Sequence, residues 1–109
     1  MQIATPDSAD EASNLLALVN RNPSMFDAQN YLGASTTVPG QKTSWYRVNT
    51  GMLINFNLQW ATAEPNNLGN NEQCLSIQPN SGYNDWPCSG AALTKFMCER
   101  SVPPINYTR

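Results

Sequence analysis

Five side chains that carry hard oxygen donors lie between residues 64 and 85. Glu64, Glu72 and Asp85 supply carboxylates, while Asn66 and Asn84 supply amide carbonyls. Ca²⁺ prefers such oxygens and takes about 6–8 of them. The asparagine- and glycine-rich composition of the stretch between them is equally typical of a polar surface turn. Taken alone, the residue types are therefore compatible with either a calcium site or a solvated turn.

Motifs around these side chains favour the calcium site. The chain reads E-P-N at 64–66, E-Q-C at 72–74, Y-N-D at 83–85 and F-M-C-E at 96–99. In this order and spacing the motifs resemble the carbohydrate-recognition domain of C-type lectins. The resemblance covers residues 1–100 and is strongest from Trp60 onward. It implies an α+β, C-type lectin-like fold, with small antiparallel sheets, one clear helix, a long calcium-binding loop region and a stabilising disulfide.

The resemblance also implies a ligand set. One Ca²⁺ is expected, held by the same residues that contact the sugar: Glu64, Asn66, Glu72, Asn84 and Asp85. Pro65 is cis in the family, which is physically accessible because X-Pro bonds adopt cis at low cost. Some relatives hold an auxiliary calcium ion at positions that here carry no carboxylate, namely Thr36, Gly40, Asn67 and Gln73.

The expected partner is a glycan read through two neighbouring hydroxyls. In the family, EPN is associated with equatorial 3- and 4-hydroxyls, as in mannose, N-acetylglucosamine and glucose, and fucose is also accepted. One such site binds weakly, so avidity would call for a homo-oligomer. The role could be microbial recognition, as in innate immunity, or adhesion. The alternative from another class is a domain of this fold that binds a protein or ice.

Two aromatic residues beside the ligands need separate interpretation. Tyr83 stands where the family motif W-N-D has tryptophan, a change that we expect to alter a core ring and leave both ligands in place. Trp86 could stack on a sugar or pack in the core, and its neighbours Pro87 and Cys88 favour the core.

Three cysteines are present. The resemblance implies a disulfide between Cys74 and Cys88; closing a loop of about 15 residues is worth roughly 3 kcal/mol. The family partner of Cys98 lies upstream of this chain, so Cys98 is expected to be unpaired. A disulfide framework indicates a secreted, extracellular protein. The sequon at Asn106 is a possible N-glycosylation site and agrees with secretion.

Composition narrows the function classes. The 109 residues have a net charge of −2, so no basic patch for nucleic acid is expected, and no apolar run approaches a membrane span of about 20 residues. The absence of histidine excludes Ser-His-Asp, Cys-His and His-ligated zinc chemistry. A glycosidase using Glu64 and Glu72 would need one protonated carboxyl, which a bound Ca²⁺ disfavours. We therefore expect no enzymatic activity.

Pattern predicts the main elements. Ser8–Glu11 has the form of a capping box, and Ala12, Leu15, Leu16 and Val19 recur at helical spacing until Asn22-Pro23 ends the helix. Predicted strands cover residues 31–34, 45–48, 53–57, 74–77 and 94–98, with a turn at residues 49–51.

The expected organisation is one domain, residues 1–100, followed by a tail, residues 101–109. In the family a strand and a helix precede the segment that matches residues 1–4. We therefore expect an N-terminally incomplete domain, in which Met1 is an internal residue. The alternative is a naturally shortened form whose tail, residues 102–107, folds back over the core.

Overall fold

The structure of the chain is a computed structural model that describes residues 2–88, 95–96 and 98–99. The predicted tail, the sequon at Asn106 and the side chain of Cys98 lie outside the described residues, so those expectations stay predictions.

The helix α1 spans Ala9–Arg21, as the capping pattern predicted. The Ser8 hydroxyl accepts a hydrogen bond from the Glu11 N–H at 3.1 Å, and a Glu11 carboxylate oxygen accepts from the Asp7 N–H at 2.6 Å. Glu11 therefore reaches one residue further back than a standard capping box, in which the N-cap amide is the donor. At the other end of the helix, the side-chain amide of Asn22 donates to the Leu18 carbonyl at 2.8 Å. A 3₁₀ turn, Pro23–Met25, follows.

Seven strands form two sheets in the described residues. They are β1 (Gln2–Ile3), β2 (Asn30–Ser35), β3 (Tyr46–Arg47), β4 (Cys74–Gln78), β5 (Gly82–Trp86), β6 (Lys95–Phe96) and β7 (Cys98–Glu99). The larger sheet has the order β3-β2-β4-β5, and β6 pairs with the start of β2 in parallel. The remaining pairs are antiparallel, and the pairing of β1 with β7 brings residues 2–3 beside residues 98–99.

The core lies between α1 and the larger sheet. Ala12, Leu16 and Val19 are buried on the inner face of the helix, as their spacing predicted. Leu75 and Ile77 of β4 are fully buried in the same cluster. The helix is also joined to the sheet by a buried polar contact, because the Tyr83 hydroxyl donates to the Ala12 carbonyl at 2.8 Å. Tyr83 is thus the core ring that the sequence predicted.

A long, mostly irregular segment, residues 36–73, connects β2 to β4 and includes β3 and a short 3₁₀ turn, Leu68–Asn70. Its ends are held together by the Thr36 N–H, which donates to the Gln73 carbonyl at 3.0 Å. The turn predicted at residues 49–51 is present, with the Gly51 N–H donating to the Arg47 carbonyl at 2.7 Å and Gly51 at φ +74°. The segment therefore contains a short hairpin that begins at β3, and beyond it an isolated bridge between Trp60 and Tyr83 and the 3₁₀ turn precede β4.

The strand predicted for residues 53–57 is wrong. Leu53 forms an isolated bridge to Tyr46 and the Ile54 N–H donates to the Trp45 carbonyl at 2.8 Å, but residues 54–57 form no strand with any described residue. Ile54 and Leu58 are nevertheless buried. The alternation of apolar residues therefore indicated which side chains are buried, and not that the segment pairs as a strand. Strand propensity largely measures side-chain packing, and here packing was satisfied by an irregular segment.

Candidate functional site

The candidate site is formed by two parts of the chain, the end of β5 and an irregular segment, residues 64–72, called here the acidic loop. β5 contributes Asn84 and Asp85, which pair with Ser76 and Leu75 of β4. Asp85 is fully buried and Asn84 is 4% exposed. Because β4 is a core strand, its ladder fixes the backbone that carries these two side chains.

Asp85 holds the acidic loop against the sheet. One carboxylate oxygen accepts from the Asn66 N–H at 3.3 Å, and the other accepts from the Asn67 N–H at 2.7 Å. The residues are 18 and 19 positions apart in sequence. A buried carboxylate is tolerated only when it is hydrogen-bonded or paired, and these two amides meet part of that requirement.

Glu64 sits at a sharply bent part of the backbone. The Glu64–Pro65 peptide bond is cis, as predicted, and Ala63 has φ +67°. The Glu64 N–H donates to the Ala61 carbonyl at 3.0 Å, and a Glu64 carboxylate oxygen accepts from the Asn66 N–H at 3.1 Å. Glu64 and Asp85 therefore share the Asn66 amide as a donor.

Glu72 closes the other end of the acidic loop and is 5% exposed. Its carboxylate accepts from the Leu68 N–H at 3.0 Å, and its own N–H donates to the Asn67 amide oxygen at 3.0 Å. The Asn66 side-chain oxygen also accepts from the Leu68 N–H, at 3.2 Å. Hydrogen bonds thus bring Glu64, Asn66, Glu72 and Asp85 into one cluster.

Asn84 is placed differently from the other four. Its amide N–H donates to the Gln29 side-chain oxygen at 3.4 Å, and the Ser76 hydroxyl donates to the same oxygen at 2.6 Å. Its amide oxygen is buried and has no hydrogen-bond partner among the described residues. A buried polar atom without a partner is costly. This oxygen is therefore suited to accept an additional ligand.

The carboxylates of the site are electrostatically linked. Burial, followed by a hydrogen bond to Asp85 and the charge of Asp85, raises the pKa of Glu64 to about 7. Burial, opposed by the Leu68 amide, raises the pKa of Glu72, and the Asp85 charge adds to the increase. Neighbouring carboxylates resist simultaneous ionisation unless a cation is present.

The donor chemistry fits a hard cation. Three carboxylates and two amide oxygens provide oxygen ligands only, and two of the carboxylates carry a raised pKa. No group of three or more His, Cys, Asp or Glu side chains within residues 2–88 is arranged as a metal site. Glu64, Glu72 and Asp85 therefore do not by themselves form such a group in this conformation.

The disulfide expected between Cys74 and Cys88 is present, with a Cα–Cα distance of 5.2 Å. It joins the start of β4 to the residue that lies two positions beyond β5, next to the acidic loop. Trp86, at the end of β5, is half-buried, and its indole N–H is buried without a partner among the described residues. The core placement predicted for Trp86 is therefore only partly met.

A wide depression of about 730 Å³ adjoins the acidic loop at Glu64 and Pro65. Its remaining lining comes mainly from residues 57–63, including the partly buried ring of Trp60, and from Lys42. Its lining combines the ring of Trp60 with amide, hydroxyl and charged groups, so it offers an aromatic surface together with hydrogen-bonding groups.

Two further residues shape the site and were missed from the sequence. A Cβ atom at Gly82 would lie 2.6 Å from the Gln59 carbonyl oxygen, so only glycine permits the chain that leads into the acidic loop to pair with Tyr83. Gln29 orients Asn84 from 55 residues away. No local motif signals either role, because both depend on contacts between distant segments.

No helix of the described residues is long and apolar enough to cross a membrane.

Comparison with known proteins gives relatives of one kind. No family model matches the chain. The mouse protein C-type lectin domain family 4 member K is 37% identical over 71 residues, which are 59% of this chain and 20% of that protein. Its human namesake is 45% identical over 47 residues, which are 41% of this chain and 14% of that protein. The chain thus matches a fifth or less of the length of these relatives.

Solved structures show the same fold. C-type lectin CEL-I from Cucumaria echinata superposes with a TM-score of 0.58 at 17% identity, over 78% of this chain and 59% of that one. The EPNH mutant of CEL-I gives 0.59 at 19% identity, over 81% and 60%. The carbohydrate-recognition domain of the mouse scavenger receptor C-type lectin gives 0.56 at 15% identity, over 79% and 60%. The chain therefore has the C-type lectin-like fold that its motifs predicted.

Proposed function

We propose that this C-type lectin-like domain binds carbohydrate through one calcium ion at the acidic loop and β5. The proposed ligands are Glu64, Asn66, Glu72, Asn84 and Asp85. The observation that carries the proposal is a cluster of oxygen ligands, three of them buried, for which the described residues show no ion pair with a cationic side chain. Asp85 and Glu72 are 0% and 5% exposed, the pKa of Glu64 is raised to about 7, and the Asn84 amide oxygen has no partner among the described residues. A divalent cation would neutralise the carboxylates and occupy that oxygen.

The protein's own groups would orient the sugar. When bound, Ca²⁺ supplies coordination positions for two neighbouring hydroxyl oxygens. Each hydroxyl could also donate to a carboxylate of Glu64 or Glu72 and accept from the amide N–H of Asn66. The side-chain N–H of Asn84 already donates to Gln29. In this conformation Glu64 and Asn66 are therefore the better-placed acceptor and donor for the sugar hydroxyls.

The proposed ligand class is mannose-type sugars, which present equatorial 3- and 4-hydroxyls. The depression beside Glu64 and Pro65 gives room for sugar residues linked to the one at the ion. A single site of this kind binds weakly, so the chain would act in several copies. The disulfide supports a secreted protein, because disulfides persist in the oxidising extracellular environment. Glycans of cells or microbes are available there. No catalytic role is proposed.

Retention on mannose resin tests the proposal. The wild-type chain should be retained in calcium and released by excess chelator, and calorimetry should give one calcium equivalent. Galactose resin serves as the matched control, and it should retain the chain weakly. Retention that survives excess chelator would rule out the calcium mechanism.

A protein ligand is the second candidate, and one observation favours it. The hairpin around residues 46–53 exposes four large apolar side chains, Tyr46 at 42%, Val48 at 66%, Met52 at 64% and Leu53 at 47%. Exposed apolar groups of this kind often mark protein contacts. Chelator-insensitive binding to a protein, abolished by Val48→Glu, would support this candidate over sugar binding.

A further inference from the structure

Asn67 lies outside the proposed ligand set, yet it contacts two members of it. Its backbone N–H donates to an Asp85 carboxylate oxygen at 2.7 Å. Its side-chain oxygen accepts from the Glu72 N–H at 3.0 Å. Asn67 is half-buried and has φ +48°, a left-handed conformation that asparagine tolerates better than most residues. One residue thus links β5 to the far end of the acidic loop.

The two linked residues differ in how the rest of the fold holds them. Asp85 is fixed by the β4–β5 ladder, where it pairs with Leu75. Glu72 precedes β4 in irregular chain, and its carboxylate reaches back to the Leu68 N–H. The backbone next to Glu72 is held at Gln73, whose carbonyl accepts from the Thr36 N–H, and the Asn67 side chain adds a direct connection from the Glu72 N–H toward Asp85 on the rigid strand.

We propose that Asn67 is a positioning residue, which keeps Glu72 and Asp85 in their calcium-binding arrangement before the ion arrives. This inference rests on the proposed function. If the acidic loop opened in the ion-free protein, calcium would have to select the closed fraction, and its apparent affinity would fall in proportion. The affinity for calcium would then depend on a residue that does not contact the ion.

Asn67→Gly is the variant that tests this role. Glycine adopts a positive φ without strain, so the substitution removes the amide acceptor and leaves the backbone conformation accessible. Asn70→Gly is the matched control, because Asn70 is exposed in the same loop and also has a left-handed φ, +63°. Both variants gain the same backbone freedom when unfolded, so their difference isolates the Asn67 side chain.

Three quantities are measured together for each variant. They are the affinity for calcium, the affinity for sugar at saturating calcium, and the hydrogen exchange of the backbone amides at positions 67 and 68. For Asn67→Gly we expect calcium affinity to fall about three- to tenfold, the effect of one lost hydrogen bond. In the ion-free variant the two amides should lose protection and regain it at saturating calcium. Sugar affinity at saturating calcium should equal that of the wild type. Asn70→Gly should change none of these quantities by more than about twofold, as expected for an exposed site.

Several results would overturn the inference. Unchanged calcium affinity in Asn67→Gly would overturn this inference and leave the proposed function standing. Backbone amides at positions 67 and 68 that stay protected in the ion-free variant would do the same. Reduced sugar affinity at saturating calcium would show that Asn67 acts on the sugar. If Asn67→Gly does not fold, Asn67→Ala with Asn70→Ala as its control provides the same comparison, because both positions have a left-handed φ and only Asn67→Ala removes the acceptor of the Glu72 N–H. A wild-type chain that binds no calcium would instead defeat the proposed function.

Discussion

The cap of the helix α1 and the attachment of the acidic loop to the sheet depend on contacts of very different sequence range. In α1, the capping contacts join residues three and four positions apart, from Ser8 to Glu11 and from Asp7 to Glu11. In the acidic loop, the contacts that hold it to the sheet join residues 18 and 19 positions apart, from Asn67 and Asn66 to Asp85. Helix substitutions should therefore change stability alone, whereas substitutions in the loop should chiefly change ligand binding.

Asp85→Ala should have the largest effect on binding. It removes a charged ligand and the acceptor of the Asn67 amide, whereas the Asn66 amide keeps the Glu64 carboxylate as an acceptor. Calcium affinity should therefore fall more than about a hundredfold, or about 2.7 kcal/mol. Mannose retention should be lost with it. Calorimetry measures the ion, and resin retention measures the sugar. Asp10→Ala, which removes an exposed carboxylate from the first turn of α1, is the control and should keep both activities.

Calcium affinity should depend on pH because of Glu64. With its pKa raised to about 7, Glu64 must lose a proton when calcium binds below that pH. Affinity should therefore fall about tenfold per pH unit below pH 7 for one linked proton. The ion-free fold binds more protons than the unfolded chain between pH 4.5 and about 7, so its stability should decrease as pH rises through that window.

Calcium titrations at several pH values, with and without the Glu64→Gln substitution, measure this dependence. Because Glu64→Gln removes the titratable carboxyl, the calcium affinity of the variant should depend less on pH above pH 6. A profile that is identical in the variant would assign the linked proton to another group.

The double substitution Glu64→Gln and Asn66→Asp should change selectivity while keeping the charge count. Exchanging the acid and the amide reverses which group accepts from a hydroxyl and which donates. We expect the mannose-to-galactose preference to shift toward galactose about tenfold or more, on the scale of one or two hydrogen bonds. Competition by the free sugars measures the ratio, and an unaltered ratio would contradict the role of E-P-N in specificity.

Ser8→Ala should leave calcium binding unchanged, which is the smallest of these effects, and should lower the free energy of unfolding. Loss of an N-cap hydrogen bond costs about 1 kcal/mol. Urea unfolding measures the change, and calcium affinity of the folded variant should match the wild type. Ser13→Ala, an exposed substitution inside α1, is the control and should not reduce stability. A loss of calcium affinity in Ser8→Ala would show that the helix and the acidic loop are coupled.

The sequence by itself determined the features that depend on near neighbours or on a specific motif. The Ser8 cap, the buried face of α1 and the turn at residues 49–51 follow from contacts within a few residues. The cis bond at Pro65 and the Cys74–Cys88 disulfide followed from the family motifs, as did the fold. These features were accessible because the information that specifies them lies in short stretches of chain.

Only the tertiary structure decided how the five candidate ligands are arranged. It placed Asp85 against the Asn66 and Asn67 amides, and it joined Asn84 to Gln29 across 55 residues. It also gave Ile54 and Leu58 buried positions without a strand. The physical reason is that a backbone amide has no residue-specific signature, so its partner is set by whichever side chain the folded core brings within reach.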